Sequence, residues 1–183
     1  EFYRNSRNLG YCGNFNAALL KTTGDLVLLS DQDDVWLPSK IAHLADLSAR
    51  NPHALLLMND AALTDANLRS VGLTKIGQLR AAGYATDRFV MGCCCAIKRP
   101  LLDICLPVPV GYQAHDNWIV GFADALSVKM VDETVLQYYR RHGANESQFI
   151  ANSVVKVSRF NVLFETLRKV ASSHSSERSK QQR

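Results

Sequence analysis

Long hydrophobic runs are absent from the sequence. Nowhere in its 183 residues do about 18 or more apolar residues follow one another, which is the length that a membrane-spanning helix needs. The sequence also shows no signal-peptide pattern of a basic start, an apolar stretch and a small-residue cleavage site. These absences predict no transmembrane segment, and we expect a cytoplasmic protein.

CxxC pairs are absent, and the spacing of the cysteines does not suit disulfide bonds or zinc. The five cysteines are Cys12, the consecutive residues 93–95, and Cys105. Neighbouring residues in a strand point to opposite faces, so the consecutive three cannot form an ordinary set of bridges. No CxxC spacing occurs. We interpret the cysteines as small buried hydrophobic residues in a reducing compartment, with a redox or metal-binding role as the alternative.

A large charge of one sign is also missing. The net charge is +4, with 47% hydrophobic and 21% charged residues, which is ordinary for one soluble domain with a real core. The positive surplus lies in residues 156–183, which hold seven lysines or arginines and two glutamates. We expect no nucleic-acid partner. The basic tail is either simply solvated or contacts a phosphate-rich partner or an anionic membrane.

Short apolar strands alternate with amphipathic helices. Residues 26–30 and 54–58 are apolar runs, the first of the type that is buried on both faces of a parallel sheet. Between them, Asn51 and Pro52 end a predicted helix that follows Pro38. Four apolar residues share one face of this helix: Ile41, Leu44, Ala45 and Leu47. The alternation predicts an α/β sandwich.

The rest of the chain continues the same alternation. Further helices are predicted at residues 15–21, 76–82, 100–109 and 115–126, and further strands within 89–99 and 127–139. Residues 140–147 are a predicted loop, 151–171 an amphipathic helix and 172–183 a disordered basic tail.

Three carboxylates stand directly after the first apolar strand. In the stretch LVLLSDQDDVW, residues 26–36, these are Asp31, Asp33 and Asp34. Two such charges about 4 Å apart repel by roughly 4 kcal/mol at an effective dielectric of about 20. A divalent Mg²⁺ or Mn²⁺ ion would offset this repulsion, and ligands of α/β sheets bind beyond the carboxyl ends of strands. The alternative is an acidic turn that caps the helix near Pro38, although a cap needs one aspartate only.

Two more motifs follow in order along the chain. They are HDNW at residues 115–118 and YYRRHGAN at residues 138–145. Together with the acidic stretch, over residues 5–148, they resemble glycosyltransferase family 2, which has the GT-A fold. The combination of DQDDVW, HDNW and YRRHGAN is most similar to the bacterial rhamnosyltransferase branch. The resemblance implies a GT-A-type, Rossmann-like α/β/α sandwich.

The resemblance implies roles for the acidic stretch and for the third motif. The divalent cation, Mg²⁺ or Mn²⁺, would be held by Asp33, Asp34 and His142. Asp31 would reach the ribose or a metal-bound water. Arg140 and Arg141 would contact the diphosphate of a nucleotide-sugar donor.

The resemblance also implies a mechanism and an acceptor site. Asp116 would be the catalytic base of an inverting single displacement, accepting the proton of the attacking hydroxyl. His115 would orient Asp116 or touch the acceptor. Trp118 would stack on an acceptor sugar, and a core aromatic is the alternative. The implied reaction transfers L-rhamnose from dTDP-rhamnose to a saccharide or lipid-linked saccharide in cell-surface polysaccharide synthesis.

The resemblance has one gap, which keeps other interpretations open. A complete GT-A domain begins with a strand and helix that hold the nucleotide base, and we expect residues 1–150 to be a partial domain that enters near the third strand. One alternative is therefore an inactive fragment that binds only a metal or a partner. A haloacid-dehalogenase-like phosphatase, with Asp31 as nucleophile and Asp33 as acid, is the other, but it leaves the later motifs unexplained.

The helix predicted at residues 151–171 also has two interpretations. Its apolar face among basic residues could lie on an anionic membrane near a lipid-linked acceptor, at the inner face of the plasma membrane. It could instead pack against the catalytic domain, which is the commoner use of such a helix.

Overall fold

The computed structural model describes residues 2–142 of the chain. Within them the helices are α1 (Gly10–Leu19), α2 (Lys40–Arg50), α3 (Lys75–Ala81), α4 (Arg99–Cys105) and α5 (His115–Ala125). The strands are β1 (Leu26–Leu28), β2 (Val35–Trp36), β3 (Leu56–Thr64), β4 (Ser70–Thr74), β5 (Cys95–Lys98) and β6 (Lys129–Arg140). The predicted mixture of helices and strands is confirmed. The helix and tail predicted at 151–171 and 172–183 lie outside the described residues.

One mixed sheet forms the centre of the fold. The strand order is β1-β5-β3-β6-β2, with β4 paired to β3. The two longest strands, β3 and β6, run parallel, and the other pairs are antiparallel. The prediction that the first strand belongs to a parallel arrangement was wrong, because β1 pairs antiparallel with β5 through Val27 and Ile97. Nor is β1 fully buried on both faces, because Leu26 and Leu28, on either side of the buried Val27, are only half-buried.

Strand β3 is longer than its apolar run predicts. The prediction ended the strand at Met58, yet β3 continues through Asn59 and Asp60 to Thr64. The buried Asp60 carboxylate accepts hydrogen bonds from the Ala61 N–H (2.7 Å) and from the Ile76 N–H (3.0 Å) at the start of α3. A buried polar group is tolerated where it is hydrogen-bonded, so this acid does not end the strand.

The two faces of the sheet carry separate hydrophobic clusters. Leu56, Met58 and Ile97 belong to a large cluster that includes residues of α1, α3, α4 and α5. Leu57 and Ala96 point the other way and pack with Leu44, Leu47 and Leu136. Successive strand residues point to opposite faces, so β3 and β5 supply both clusters.

Helix α2 covers the smaller cluster with a different stripe from the predicted one. Its buried residues are Lys40, Leu44 and Leu47, whereas Ile41 and Ala45 are exposed. Lys40 therefore stands where the hydrophobic pattern predicted an isoleucine. The cause is that the Lys40 ammonium finds hydrogen-bond acceptors on Cys93 and Gln137.

Leu44 is the residue of this stripe with the largest expected effect on stability. It is 0% exposed at the centre of the smaller cluster. Leu44→Ala should lower the free energy of unfolding by about 2–5 kcal/mol, because it removes buried methyl groups and leaves a cavity. Urea denaturation followed by circular dichroism measures the change. Ile41→Ala, on the exposed face of the same helix, is the control and should change it little; equal effects would contradict this packing.

Membrane-spanning helices are not found among the residues that the structure describes: no helix there is both long enough and apolar enough to cross a bilayer.

Candidate active site

The three predicted acids lie in the turn between β1 and β2, beside the end of β6. Strand β2 pairs with β6 so that Val35 stands opposite Tyr138 and Trp36 opposite Gln137. This pairing brings the acidic turn against the chain segment that ends in His142. Asp31, Asp33 and Asp34 are each half-buried. The first and third sequence motifs therefore meet in space.

Asp34 is held on both of its carboxylate oxygens. Its Oδ1 accepts a hydrogen bond from the Arg140 backbone N–H (3.2 Å), and its Oδ2 accepts one from Gln137 Nε2 (3.0 Å). Burial raises the pKa of Asp34, while hydrogen bonds from the Cys93 side chain and the Arg140 backbone oppose that rise. Asp34 is thus an oriented carboxylate.

Asp33 pairs with His142. Asp33 Oδ2 lies 2.9 Å from His142 Nε2, and both side chains are partly exposed. The resemblance grouped Asp33, Asp34 and His142 around one cation, and the structure brings the first and last of these into direct contact. Their role as metal ligands stays a prediction.

Asp31 and Asp34 lie close to Cys93, a residue that the sequence motifs did not single out. One ligand atom each from Asp31, Asp34 and Cys93 lie within 4.8 Å of one another. Cys93 is buried, and its Sγ accepts a hydrogen bond from Gln137 Nε2 (3.1 Å). A hydrogen bond with Cys94, burial and the nearby aspartates raise the pKa of Cys93 well above its usual range. The two carboxylates supply the oxygen ligands that Mg²⁺ and Mn²⁺ prefer, so they fit the predicted cation. A thiol that stays protonated is not a ligand for these hard ions, so Cys93 packs beside the carboxylates without binding the ion.

Nothing in the sequence could have marked Cys93 as a member of this group. It is one of three consecutive cysteines, and the interpretation as buried residues is confirmed for all five, because each is buried and no disulfide joins them in the described part of the chain. Burial also raises the pKa of Cys105 to about 12. The thiol beside the acids is a product of tertiary structure, since Cys93 follows Asp34 by 59 positions.

Asp116 lies in the first turn of α5, as the second motif predicts. It is 7% exposed, and its Oδ1 accepts a hydrogen bond from the Asn117 N–H (2.9 Å). A carboxylate at this position interacts favourably with the helix dipole. Its role as catalytic base stays a prediction, which the position permits.

His115 is fixed beside Asp116 by aromatic packing. Its ring stacks on Phe15 with centroids 4.0 Å apart and meets the edge of Tyr11 at 5.9 Å. The residue is buried, so an acceptor could touch it only after a rearrangement. Of its two predicted roles, this packing favours orientation of Asp116 over contact with the acceptor.

One short 3₁₀ helix, Gly92–Cys94, joins the two halves of the candidate site. A Cβ atom added at Gly92 would lie 3.1 Å from His115 Nε2 and 3.4 Å from Asp116 Cβ. The next residue, Cys93, belongs to the group with Asp31 and Asp34. The absence of a side chain at Gly92 thus lets the predicted base pack directly beside the turn that carries the thiol.

Trp118 takes part in packing. Its ring lies 5.2 Å from Tyr112 and 5.1 Å from Phe122, and its Nε1–H donates to the Cys105 carbonyl (2.6 Å). The side chain is partly buried against the large cluster. These contacts agree with the core alternative, and stacking on an acceptor sugar stays a prediction.

The two arginines of the third motif occupy the end of β6 and the residue after it. The Arg140 N–H binds Asp34, and the Arg141 N–H donates to the Thr64 carbonyl (2.9 Å). The Arg141 guanidinium lies 5.9 Å from the centre of the Tyr139 ring. Contact of either side chain with a diphosphate stays a prediction.

Comparisons with known proteins agree with the first motif. The family model for glycosyl transferase family 2 matches residues 1–104. An uncharacterized glycosyltransferase from Nostoc sp. is 27% identical over 159 residues, which cover 80% of this chain and 48% of the relative. The chain therefore spans about half the length of the curated relative that it matches.

A solved structure shares the fold. The structure of S. aureus TarS in complex with UDP-GlcNAc matches 79% of this chain and 45% of that chain, with a TM-score of 0.55 and 14% identity. At this identity the likeness shows the fold alone, and it confirms the predicted Rossmann-like α/β class. Because the family model covers more than half of the sequence, the chain belongs to glycosyl transferase family 2.

Proposed function

We propose that this chain carries the cation-binding and acceptor-activating part of an inverting glycosyltransferase. The observation that carries the proposal is the meeting of the acidic turn with the 3₁₀ helix Gly92–Cys94, which in turn packs against Asp116. A nucleotide-sugar transferase needs a group that offsets the diphosphate charge and a base for the acceptor hydroxyl. Both kinds of group occur here next to the same 3₁₀ helix.

Asp33, Asp34 and His142 would hold the cation, with the Asp31 carboxylate and the Cys93 thiol close to Asp34. When bound, Mg²⁺ or Mn²⁺ supplies positive charge that stabilises the leaving diphosphate. Arg140 and Arg141 would add to that stabilisation as the charge develops. The hydrogen bonds from Gln137 and the Arg140 N–H keep Asp34 oriented toward its neighbours.

Asp116 would accept the proton of the acceptor hydroxyl as the oxygen attacks the anomeric carbon. A single displacement of this kind inverts the configuration at that carbon. General base catalysis requires a carboxylate within hydrogen-bond reach of the proton, held in a fixed orientation. The Asn117 N–H, which donates to Asp116 Oδ1 (2.9 Å) in the first turn of α5, helps to hold that orientation.

The donor class is supported by the shared fold, since TarS was solved with UDP-GlcNAc. For this chain we propose L-rhamnose from dTDP-rhamnose, on the basis of the three motifs taken together. The proposed acceptor is a saccharide or lipid-linked saccharide of a cell-surface polysaccharide, met at the inner face of the plasma membrane.

Donor binding tests the proposal directly. We expect saturable binding of dTDP-rhamnose in isothermal titration calorimetry when Mn²⁺ is present and none when EDTA replaces it, with UDP-GlcNAc as the comparison donor. Tighter binding of UDP-GlcNAc would keep the transferase and overturn the rhamnose assignment. Equal binding with EDTA would overturn the role of the cation. A folded chain that binds neither donor would support the inactive-fragment alternative instead.

A further inference from the structure

Lys40 is a fully buried lysine at the start of α2, one residue's contact away from Asp34. It is 0% exposed and begins the buried stripe of α2. Lysine is almost never fully buried unless it is paired, because removing its charge from water is costly. Burial lowers the pKa of Lys40, while the Cys94, Cys93 and Asp34 side chains oppose the shift. An apolar residue would fill this position without the cost of desolvating a charge, which suggests that the ammonium has a role of its own.

The contacts of the ammonium lead toward the acids. Lys40 Nζ donates to the Cys93 carbonyl (3.0 Å) and to Gln137 Oε1, and it lies 4.4 Å from the centre of the Trp36 ring. Both acceptors are neutral oxygens, and both belong to residues whose other atoms contact Asp34 or stand beside it. Lys40 is thus connected to the acidic turn through one intermediate residue.

Gln137 connects Lys40 to Asp34 and to the Cys93 thiol. It is 0% exposed, and its Nε2 donates to Asp34 Oδ2 (3.0 Å) and to Cys93 Sγ (3.1 Å). A carboxamide can rotate by half a turn and exchange its donor and acceptor ends. An ammonium has donors only, so it holds Oε1 to itself and leaves the N–H groups facing the acid and the thiol.

We propose that Lys40 is a positioning residue for the candidate cation site, acting through Gln137 on Asp34. Without the ammonium, Gln137 is free to turn Oε1 toward Asp34 Oδ2, where two acceptors repel and the carboxylate loses its fixed orientation. The inference rests on the proposed function, because it assumes that Asp34 binds a divalent cation.

A simple charge effect predicts the opposite sign. A positive ammonium near a cation site repels the cation, so its removal would tighten binding if charge alone mattered. If Lys40 instead orients the ligands, its removal weakens binding. The direction of the change therefore separates the two roles.

The test is Mn²⁺ binding to Lys40→Met, measured by the electron paramagnetic resonance signal of free Mn²⁺. Methionine is close to lysine in length and fills the same volume without donors. Loss of a group that orients metal ligands typically costs about 10–100-fold in affinity, and we expect the dissociation constant for Mn²⁺ to rise by at least about tenfold.

Lys98→Met is the matched control. Lys98 Nζ donates to the Ser48 (3.0 Å) and Asn51 (2.8 Å) carbonyls at the opposite end of α2. Lys98→Met should bind Mn²⁺ as the wild-type chain does, because these contacts do not involve the acidic turn. If Lys40→Met does not fold, Mn²⁺ binding is measured on Gln137→Met instead. This substitution breaks the same chain of contacts at Gln137, which touches Asp34 directly.

The outcomes separate this inference from the proposed function. If the wild-type chain binds Mn²⁺ and the folded Lys40→Met chain binds it equally well or more tightly, the positioning role is overturned and the proposed function stands. If Lys40→Met does not fold and Gln137→Met keeps wild-type affinity, the same conclusion follows. If the folded wild-type chain does not bind Mn²⁺, both fall. If Lys40→Met and Gln137→Met both fold, the double variant should bind Mn²⁺ no more weakly than the weaker of the two single variants, because both substitutions break the same chain of contacts.

Discussion

Replacing Asp116 with asparagine is expected to lower the turnover number by about 10²–10⁴-fold, the usual contribution of a general base. Asparagine has nearly the same shape, and its Oδ1 can still accept the Asn117 N–H that the aspartate holds at 2.9 Å. The amide cannot take up a proton from the acceptor. The loss of charge at the start of α5 costs only about 0.3–1 kcal/mol of helix stabilisation, so the chain should remain folded.

The measurement for Asp116→Asn is the rate of dTDP release from dTDP-rhamnose with water as the acceptor of the rhamnosyl group, together with calorimetric donor binding in the presence of Mn²⁺. We expect the rate to fall while donor affinity stays within about twofold, since Asp116 acts on the acceptor in the proposed mechanism. Asp124→Asn is the control: this carboxylate lies in the same helix and pairs with Lys129 at 2.7 Å. A normal rate in Asp116→Asn would remove this residue from the mechanism.

Hydrophobic periodicity predicted those elements whose structure is decided locally. The helix over HDNW begins at His115 as expected, and α2 lies where its apolar repeat indicated. What periodicity could not give is the partner of a strand. Three apolar residues in β1 fit a parallel or an antiparallel neighbour equally well, and the partner β5 lies about seventy positions further on. Pairing direction is a property of the assembled sheet.

Buried polar residues account for the other differences between prediction and structure. The pattern ended β3 before Asp60 because an acid is costly inside a sheet, but the Ile76 N–H satisfies it from 16 positions away. It assigned Ile41 to the core of α2, where Lys40 is buried instead through an acceptor on Gln137, 97 positions away. Such partners are invisible to any local reading of the sequence.

The candidate site likewise contains residues that the sequence predicted and residues that only the folded chain brings there. Its acids and His142 were recognised because they stand in short motifs, and the structure brings Asp33 and His142 together. The thiol of Cys93 joined the acids without any sequence signal, since only the 3₁₀ helix at Gly92–Cys94 carries it there. Motifs name the groups that do chemistry, whereas the groups that orient them come from distant segments.

Replacing Asp34 with asparagine is expected to weaken Mn²⁺-dependent donor binding by about 100-fold. Asp34 accepts two hydrogen bonds, one on each oxygen, from Gln137 Nε2 and the Arg140 N–H. An asparagine offers one oxygen and one NH₂ group, so one of these donors would face another donor. An unsatisfied buried donor costs about 1–3 kcal/mol, and the negative charge that would bind the cation is lost as well.

The stability of Asp34→Asn makes that result interpretable. Burial raises the pKa of Asp34, which means that its ionised form opposes folding. The neutral amide removes this opposition, which offsets the mismatched hydrogen bond, and we expect a thermal midpoint within a few degrees of the wild-type value, about 1 kcal/mol. Asp46→Asn is the control, an exposed acid of α2 that pairs with Arg50 at 2.6 Å; it should bind the donor normally. Wild-type donor affinity in a folded Asp34→Asn chain would show that Asp34 does not hold the cation. Lost affinity at unchanged stability would show that the Asp34 carboxylate serves binding, because the substitution removes binding without weakening the fold.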